Sequence, residues 1–184
     1  MSGNRDAVLA ALFESHFEQL LAYARRRTPQ LSDAEDLVAE TFSVAWRRLD
    51  SVPKVREQQL PWLYGVARRL LANQRRGVAR RLRLTERLRS TFTAPPAGDP
   101  VPEVVAAVAG LPERDQELLR LIAWEGLTHA EAALVLGISP NAVAIRLHRA
   151  RERLRRTMKG LPNTRTFPAW KGSVSRSEHG GEAR

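Results

Sequence analysis

The stretch LTHAEAALVLGISPNAVAIRLHRARERLRR, residues 127–156, carries the signals that decide the fold of this chain. Its residues 128–131, THAE, have the spacing of a capping box, so a helix is predicted to begin there. Gly137 can adopt the left-handed backbone of a tight turn after that helix. Ser139 is then predicted to cap a second helix, with Pro140 in its first turn.

The predicted second helix has two different faces. Its apolar stripe consists of Val143, Leu147, Ala150 and Leu154. Pointing away from this stripe are Asn141, Ala142, Ile145, Arg146, Arg149 and Arg153. A helix fits the DNA major groove, and arginine can bind guanine edges or phosphate. The stretch therefore predicts a DNA-binding helix-turn-helix, while a helical hairpin with a solvated basic face is the competing interpretation.

Composition supports an anionic partner. The 184 residues include 30 Lys and Arg against 20 Asp and Glu, a net charge of +10. This balance favours nucleic acid first and an anionic membrane surface second. The chain has no cysteine, which excludes disulfides, thiolate metal sites and cysteine nucleophiles. The histidines are scattered without metal-ligand spacing, so neither a metal nor a cofactor is predicted.

Neither a signal peptide nor a membrane-spanning helix is predicted. The apolar run near the N-terminus is short and is broken by Glu14 and His16. No other segment is apolar for long enough to cross a bilayer. The expected location is the cytoplasm.

Helical periodicity dominates the chain, which predicts an all-α protein made of two small helical bundles and a flexible linker. The first helix is expected from about Asp6 to Arg27, a capping box at residues 32–35 is expected to start the second, and Pro61 is expected to open the third. The predicted domains are a helical domain at 6–90, a linker at 91–102, a helix-turn-helix domain at 103–159 and a disordered tail at 160–184.

The first bundle combines an acidic segment with a basic one. The acids cluster at Asp33, Glu35, Asp36 and Glu40, on a helix that otherwise follows an apolar period. Such a surface suits docking on a protein, although a helix-dipole role explains part of it. The segment 62–89 is rich in arginine and has Trp62 and Tyr64 at its start, a combination that suits single-stranded or opened DNA. Core packing of the two rings and a solvated basic tail are the alternatives.

Three segments in this order resemble an extracytoplasmic-function sigma factor, group IV of the bacterial RNA polymerase sigma factors: DAEDLVAETFSVAWRR (33–48), PWLYGVARRLLANQRR (61–76) and LPERDQELLRLIAWEGLTHAEAALVLGISPNAVAIRLHRARERLR (111–155). The resemblance implies that the first bundle is sigma region 2 and the second is sigma region 4. It also implies a partner, core RNA polymerase, contacted at its beta-prime clamp helices and beta flap. Promoter DNA would be the second partner, and family members are commonly held inactive by an anti-sigma factor.

The same resemblance assigns residues to three surfaces. The polymerase-binding set is Asp33, Asp36, Leu37, Glu40 and Phe42. The set for recognising and melting the −10 element is Trp62, Arg69, Asn73, Arg75 and Arg76. The set for the −35 element is Ser139, Asn141, Ala142, Ile145, Arg146 and Arg149. Where the family often has a hydroxyl or polar residue, this chain has Ala142, Ala144 and Ile145, so an unusual −35 preference is expected.

Two other classes of function compete with this reading. A free-standing helix-turn-helix regulator would use the second bundle without polymerase. An enzyme is the weakest alternative, because no set of nucleophile, base and orienting residue can be drawn from the sequence. The resemblance implies a protein that catalyses nothing by itself.

Overall fold

The computed structural model describes residues 2–82 and 102–158, and within these ranges the chain is helical and contains no strand. In chain order the helices are α1 (Ser2–Arg25), α2 (Leu31–Arg47), α3 (Arg56–Leu82), α4 (Pro102–Ala109), α5 (Glu113–Ala123), α6 (His129–Leu136) and α7 (Pro140–Met158), with a 3-10 turn at Leu49–Ser51. The all-α prediction is confirmed. Pro102, predicted as the end of the linker, is instead the first residue of α4, where its missing N–H costs no helical bond. The rest of the predicted linker and the predicted tail from 160 onward lie outside the described residues.

The first bundle packs α1, α2 and α3 around a shared apolar core. Its fully buried side chains include Leu20, Leu37 and Leu63. Along one face of α1, Leu20 and Ala24 are buried and Leu9 and Phe17 are half-buried, but Phe13 is 43% exposed. The Phe13 ring still contacts Phe42 of α2, with centroids 4.9 Å apart, and leaves an aromatic edge at the surface.

The sequence-based starts of α2 and α3 are wrong by two residues and by five. No capping box forms at 32–35: α2 begins at Leu31 after Gln30, whose carbonyl accepts the Ala34 N–H at 3.2 Å and whose side chain makes no cap. Helix α3 begins at Arg56 and contains Pro61. Pro61 lacks an N–H, so one carbonyl in the first turn of α3 loses its helical hydrogen bond, and water can bind that carbonyl instead. Burial of Pro61 in the bundle favours the helix.

The second bundle packs α4, α5, α6 and α7. Leu118 and Leu121 of α5 and Leu147 of α7 are buried between them. Gln116 closes the end of α4, since its amide donates to the carbonyls of Ala109 at 3.0 Å and Leu111 at 2.8 Å. The packing therefore holds the helix-turn-helix on a rigid support.

The two bundles are packed against each other through α3 and α6. Gly65 lies at the crossing, where a Cβ atom would be 3.7 Å from the backbone of Val135. The buried apolar residues of both bundles form one continuous core. The sequence separates the bundles by a linker and does not predict this contact.

Candidate nucleic-acid interface

The turn between α6 and α7 has the geometry that its residues predict. The Thr128 hydroxyl accepts the Glu131 N–H at 3.3 Å, and the Glu131 carboxylate accepts the Thr128 N–H at 2.7 Å, which completes the capping box. Gly137 has φ 67° and donates to the Ala133 carbonyl at 2.8 Å. The two helices meet at 99°, within the range of helix-turn-helix motifs.

Helix α7 presents one face to the core and the other to solvent. The predicted apolar stripe, residues 143, 147, 150 and 154, is buried as expected. Of the predicted DNA-reading residues, Asn141 and Arg149 are exposed, and Ile145 is 46% exposed. Ala142 and Arg146 are half-buried, and the exposed Ser139 uses its hydroxyl to accept the Ala142 N–H at 3.2 Å. The structure thus places all six predicted residues in the first half of α7 or directly before it, with half or more of them open to solvent.

The C-terminal half of α7 is basic but partly neutralised. A surface cleft there is lined by His148, Arg149, Glu152, Arg153 and Arg156. Arg153 forms an ion pair with Asp115 of α5, whose side chain is 2% exposed, so this arginine also anchors α7 to α5. Arg155 pairs with Glu152 on its own helix.

The predicted −10 residues separate into buried and exposed groups. Arg69, Asn73, Arg75 and Arg76 are exposed along α3. Trp62 is half-buried and packs against the core. Arg76 donates to the Asn73 side-chain carbonyl, which leaves the Asn73 amide N–H groups free to donate elsewhere. Arg75 pairs with Glu113 of α5, a partner that sequence reasoning did not identify.

Core packing is the correct reading for Tyr64. Its side chain is buried, and its ring stacks on Tyr23 of α1 with centroids 4.5 Å apart. A ring that is 2% exposed and stacked within its own bundle has no face open to an unpaired base. Stacking on DNA from this segment is therefore not available to Tyr64 in this arrangement.

The carboxylates of the predicted polymerase-binding set lie at the surface of α2, whereas its two apolar members are buried. Asp33, Asp36 and Glu40 are exposed, and none of them forms an ion pair with a residue in 2–82 or 102–158. Leu37 is 0% exposed and Phe42 is 6% exposed. Both side chains belong to the core of the first bundle, where Leu37 supports the surface from beneath and Phe42 also lines the groove beside it.

Beside these carboxylates lies a groove between α1 and α2 that the sequence reasoning missed. It has a volume of about 430 Å³ and is lined by Asp6, Leu9, Ala39, Phe42, Ser43, Trp46 and Arg47. Arg5 covers one end, with its guanidinium 5.4 Å from the Trp46 ring centroid and a hydrogen bond of 3.2 Å to the Trp46 carbonyl. The small residues at 39 and 43, one helical turn apart on α2, were the available signal.

The loop between α2 and α3 is tied to α1 by two side chains. Gln59 donates to the Pro53 carbonyl at 3.2 Å, and its own carbonyl lies 3.3 Å from His16 Nε2. Because an amide oxygen can only accept, this contact assigns the His16 proton to Nε2. The loop tip remains open to solvent, with Val55 51% exposed.

No group of three or more acidic or histidine side chains in the described part of the chain could hold a metal ion. No single helix there is long and apolar enough to cross a membrane. What the surface offers is an exposed recognition helix on a helix-turn-helix bundle, joined to a second bundle with a basic helix. These features are typical of a nucleic-acid-binding protein.

Comparison with known proteins gives both bundles a family. The family model "Sigma-70 region 2" matches residues 12–81, and "Sigma-70, region 4" matches residues 103–154. The ECF RNA polymerase sigma factor SigL of Mycobacterium tuberculosis is 29% identical over 169 residues, which cover 86% of this chain and 93% of that protein. The ECF RNA polymerase sigma factor SigF of Caulobacter vibrioides is 33% identical over 141 residues, covering 74% of this chain and 77% of the relative.

Solved structures agree with this family. CnrH, solved in complex with the cytosolic domain of CnrY, has a TM-score of 0.57 and 26% identity, covering 84% of this chain and 90% of that one. RpoE of Bartonella quintana, solved with the anti-sigma factor NepR, has a TM-score of 0.59 at 24% identity, covering 86% of this chain and 98% of that one, which supports the fold. The chain belongs to the extracytoplasmic-function (ECF) sigma factors. It is an RNA polymerase sigma factor.

Proposed function

We propose that this sigma factor binds core RNA polymerase through the first bundle and directs it to promoters that both bundles recognise. The observation that carries the proposal is the presence of three exposed surfaces of different chemistry on one chain. These are the acidic face of α2 with its groove, the basic face of α3, and the start of α7. A free-standing regulator would require only the last. The polymerase then supplies the catalysis, and the protein acts in the cytoplasm, where bacterial promoters are.

The start of α7 is the proposed reader of the −35 element. Arg146 and Arg149 lie one turn apart near the N-terminal half of a helix whose other face is fully packed. Arginine in such a position can bind guanine O6 and N7 together. The exposed Ile145 beside them favours apolar contact with a thymine methyl group. The N–H groups at the beginning of α7 favour a phosphate, which would orient the helix.

The exposed face of α3 is the proposed element for opening the −10 region. Arg69 and Arg76 offer positive charge for the phosphates of a displaced strand. Asn73 lies between them, and its amide donors are available because Arg76 occupies its carbonyl. These groups fit a strand held by its backbone with one polar contact to an unpaired base.

The acidic face of α2 is the proposed docking surface for polymerase. Asp36 and Glu40 are one helical turn apart and exposed, and Ser43 continues the same face into the groove beside Trp46. Carboxylates at the rim of an apolar groove give a partner both orientation and contact area. A partner helix with basic residues beside apolar ones fits this surface.

In vitro transcription with bacterial core polymerase on a genomic promoter library tests the proposal. Transcripts that depend on the added protein and start at shared promoter sequences are the expected result. A gel-shift assay with the same duplexes and no polymerase separates the two classes of function. Tight, sequence-specific binding by the protein alone, with no effect on transcript starts, would establish the free-standing regulator instead.

We also propose that a protein inhibitor holds this sigma factor. The support is that RpoE of Bartonella quintana was solved with the anti-sigma factor NepR, and that CnrH was solved in complex with another protein, the cytosolic domain of CnrY. Cross-linking in cells of the native host followed by mass spectrometry tests this. Recovery of core polymerase alone, under conditions in which the regulon is silent, would argue against an inhibitor.

A further inference from the structure

His16 is a polar residue of α1 buried in the first bundle, with a side chain that is 7% exposed. Its Nε2 lies 3.3 Å from the Gln59 amide oxygen, whereas the buried Nδ1 has no hydrogen-bond partner among the described residues. A buried polar atom without a partner lowers stability, so a leucine of similar size would suit the fold at least as well. The contact with Gln59 is therefore what this histidine contributes.

Gln59 joins His16 to the loop between α2 and α3. It is the fourth residue of α3, and its amide N–H donates back to the Pro53 carbonyl at 3.2 Å. A carbonyl can only accept, so the amide nitrogen faces Pro53 and the amide oxygen faces His16. The His16 donor thus fixes the orientation of the Gln59 amide, and the amide fixes the chain at Pro53, two residues before Val55 at the tip of the loop.

The loop tip lies on the same side of α3 as the proposed −10 residues. Val55 directly precedes α3, and its carbonyl accepts an N–H from the first turn at 3.1 Å. Positions 55, 62, 69 and 76 recur at intervals of about two helical turns and therefore share one side of α3. Arg69 and Arg76 are exposed there, as are Lys54, Val55 and Arg56 at the tip. An apolar side chain between two cations suits an unpaired base with phosphates on both sides.

We propose that His16 is a positioning residue for −10 recognition, because through Gln59 it holds the loop tip on the side of α3 that meets the opened strand. This inference rests on the sigma-factor function proposed above and adds a residue to its −10 step. His16 acts from within the core and not by touching DNA. Without its donor, the tip samples other orientations, and affinity for the opened strand falls with the fraction of molecules in the competent one.

Four variants separate the contact made by His16 from its packing. His16→Leu removes the donor and keeps a side chain of similar size in the core. His16→Gln restores an N–H donor of similar reach and is the conservative rescue. Gln59→Glu still accepts from His16 but has no N–H for the Pro53 carbonyl, so it releases the loop while the first contact remains. Gln19→Leu is the matched control, because Gln19 is exposed on the same helix.

Loop mobility and stability are measured on the free full chain. Lys54→Cys supplies one exposed labelling position in a chain that has no cysteine. The electron paramagnetic resonance spectrum of a nitroxide at this position should show a restricted label in the parent, His16→Gln and Gln19→Leu, and a more mobile one in His16→Leu and Gln59→Glu. The urea midpoint of His16→Leu should equal or exceed that of the parent, because Gln59 is half-buried and water can bind its freed oxygen.

Promoter opening is measured with the holoenzyme. Open-complex formation on an intact promoter should fall roughly fivefold in His16→Leu and Gln59→Glu, the population change that one hydrogen bond gives, and should return in His16→Gln. Selection over randomised −10 sequences should give a weaker preference for the two released variants. Their preference within the −35 element should stay unchanged, since the second bundle is untouched, whereas a general loss of fold would weaken both preferences.

The outcomes separate this inference from the proposed function. A restricted label in His16→Leu would overturn the inference, because the loop would then be held without the histidine. A lower urea midpoint with no rescue by His16→Gln would reduce His16 to a structural residue. A mobile loop with unchanged promoter opening and −10 preference would also overturn it. If the parent opens no promoter with any core polymerase, the sigma-factor function itself fails, while the label still shows whether His16 holds the loop.

Discussion

Replacement of Gly137 by alanine isolates the contribution of one backbone angle to the helix-turn-helix. Gly137 has φ 67°, and a Cβ atom placed there would meet nothing within 4 Å. Any loss of stability must therefore come from the left-handed backbone and not from a clash. Gly77 provides the matched comparison, because it also has open space around it but lies within α3.

The two substitutions should have opposite signs. A residue with a Cβ in the left-handed region costs about 1–2 kcal/mol. Restriction of the unfolded chain by alanine recovers about 0.4–1 kcal/mol. Gly137→Ala should therefore lower the free energy of unfolding by about 1 kcal/mol. Gly77→Ala should raise it by about 0.5–1 kcal/mol, since glycine is unfavourable inside a helix.

Urea unfolding followed by far-UV circular dichroism measures both changes. The midpoints should move in opposite directions while the dependence of the free energy on urea stays constant. Gly137→Asn should fall between the parent and Gly137→Ala, because asparagine tolerates the left-handed region better than alanine does. Equal destabilisation by alanine at 137 and 77, or no change at 137, would refute the assignment of the cost to φ.

Three further predictions concern the proposed surfaces. Arg146→Ala should lower promoter use and reduce base discrimination within the −35 element by about 1–3 kcal/mol. Arg155→Ala should weaken DNA binding without changing the sequence preference, and a selection over randomised −35 sequences measures both effects. Glu40→Arg should weaken binding to core polymerase by roughly tenfold in a pull-down titration, while the exposed Glu18→Arg on α1 should leave it unchanged. Asn73→Ala should slow open-complex formation on an intact promoter and have a much smaller effect on a template already unpaired at −10, and equal defects on both templates would contradict a role in opening.

The local signals in the sequence were sufficient to predict the helix-turn-helix. The Thr128 capping box, the left-handed Gly137 and the Ser139 cap each depend on residues within four positions of one another, so their partners are known before any packing is known. The buried stripe of α7 follows in the same way from helical periodicity. The predicted capping box at residues 32–35 failed because Gln30 precedes a helix that is already under way there. A local sequence pattern shows which capping hydrogen bonds are available. Packing against neighbouring helices decides at which of the possible residues the helix begins.

Tertiary structure alone decided which residues near charged surfaces are exposed and which are buried. Leu37 and Phe42 share a helix with exposed carboxylates, and only packing against α1 and α3 shows that these two are core. Glu125 and Arg27 have charges that sequence patterns assign to the surface, yet they are buried against each other, 98 residues apart along the chain. Their burial is stable because each charge supplies the partner that the other loses on leaving water. No periodicity within one helix can encode such a pair, since the energy depends on the segments that follow α1 and α5 meeting in one orientation.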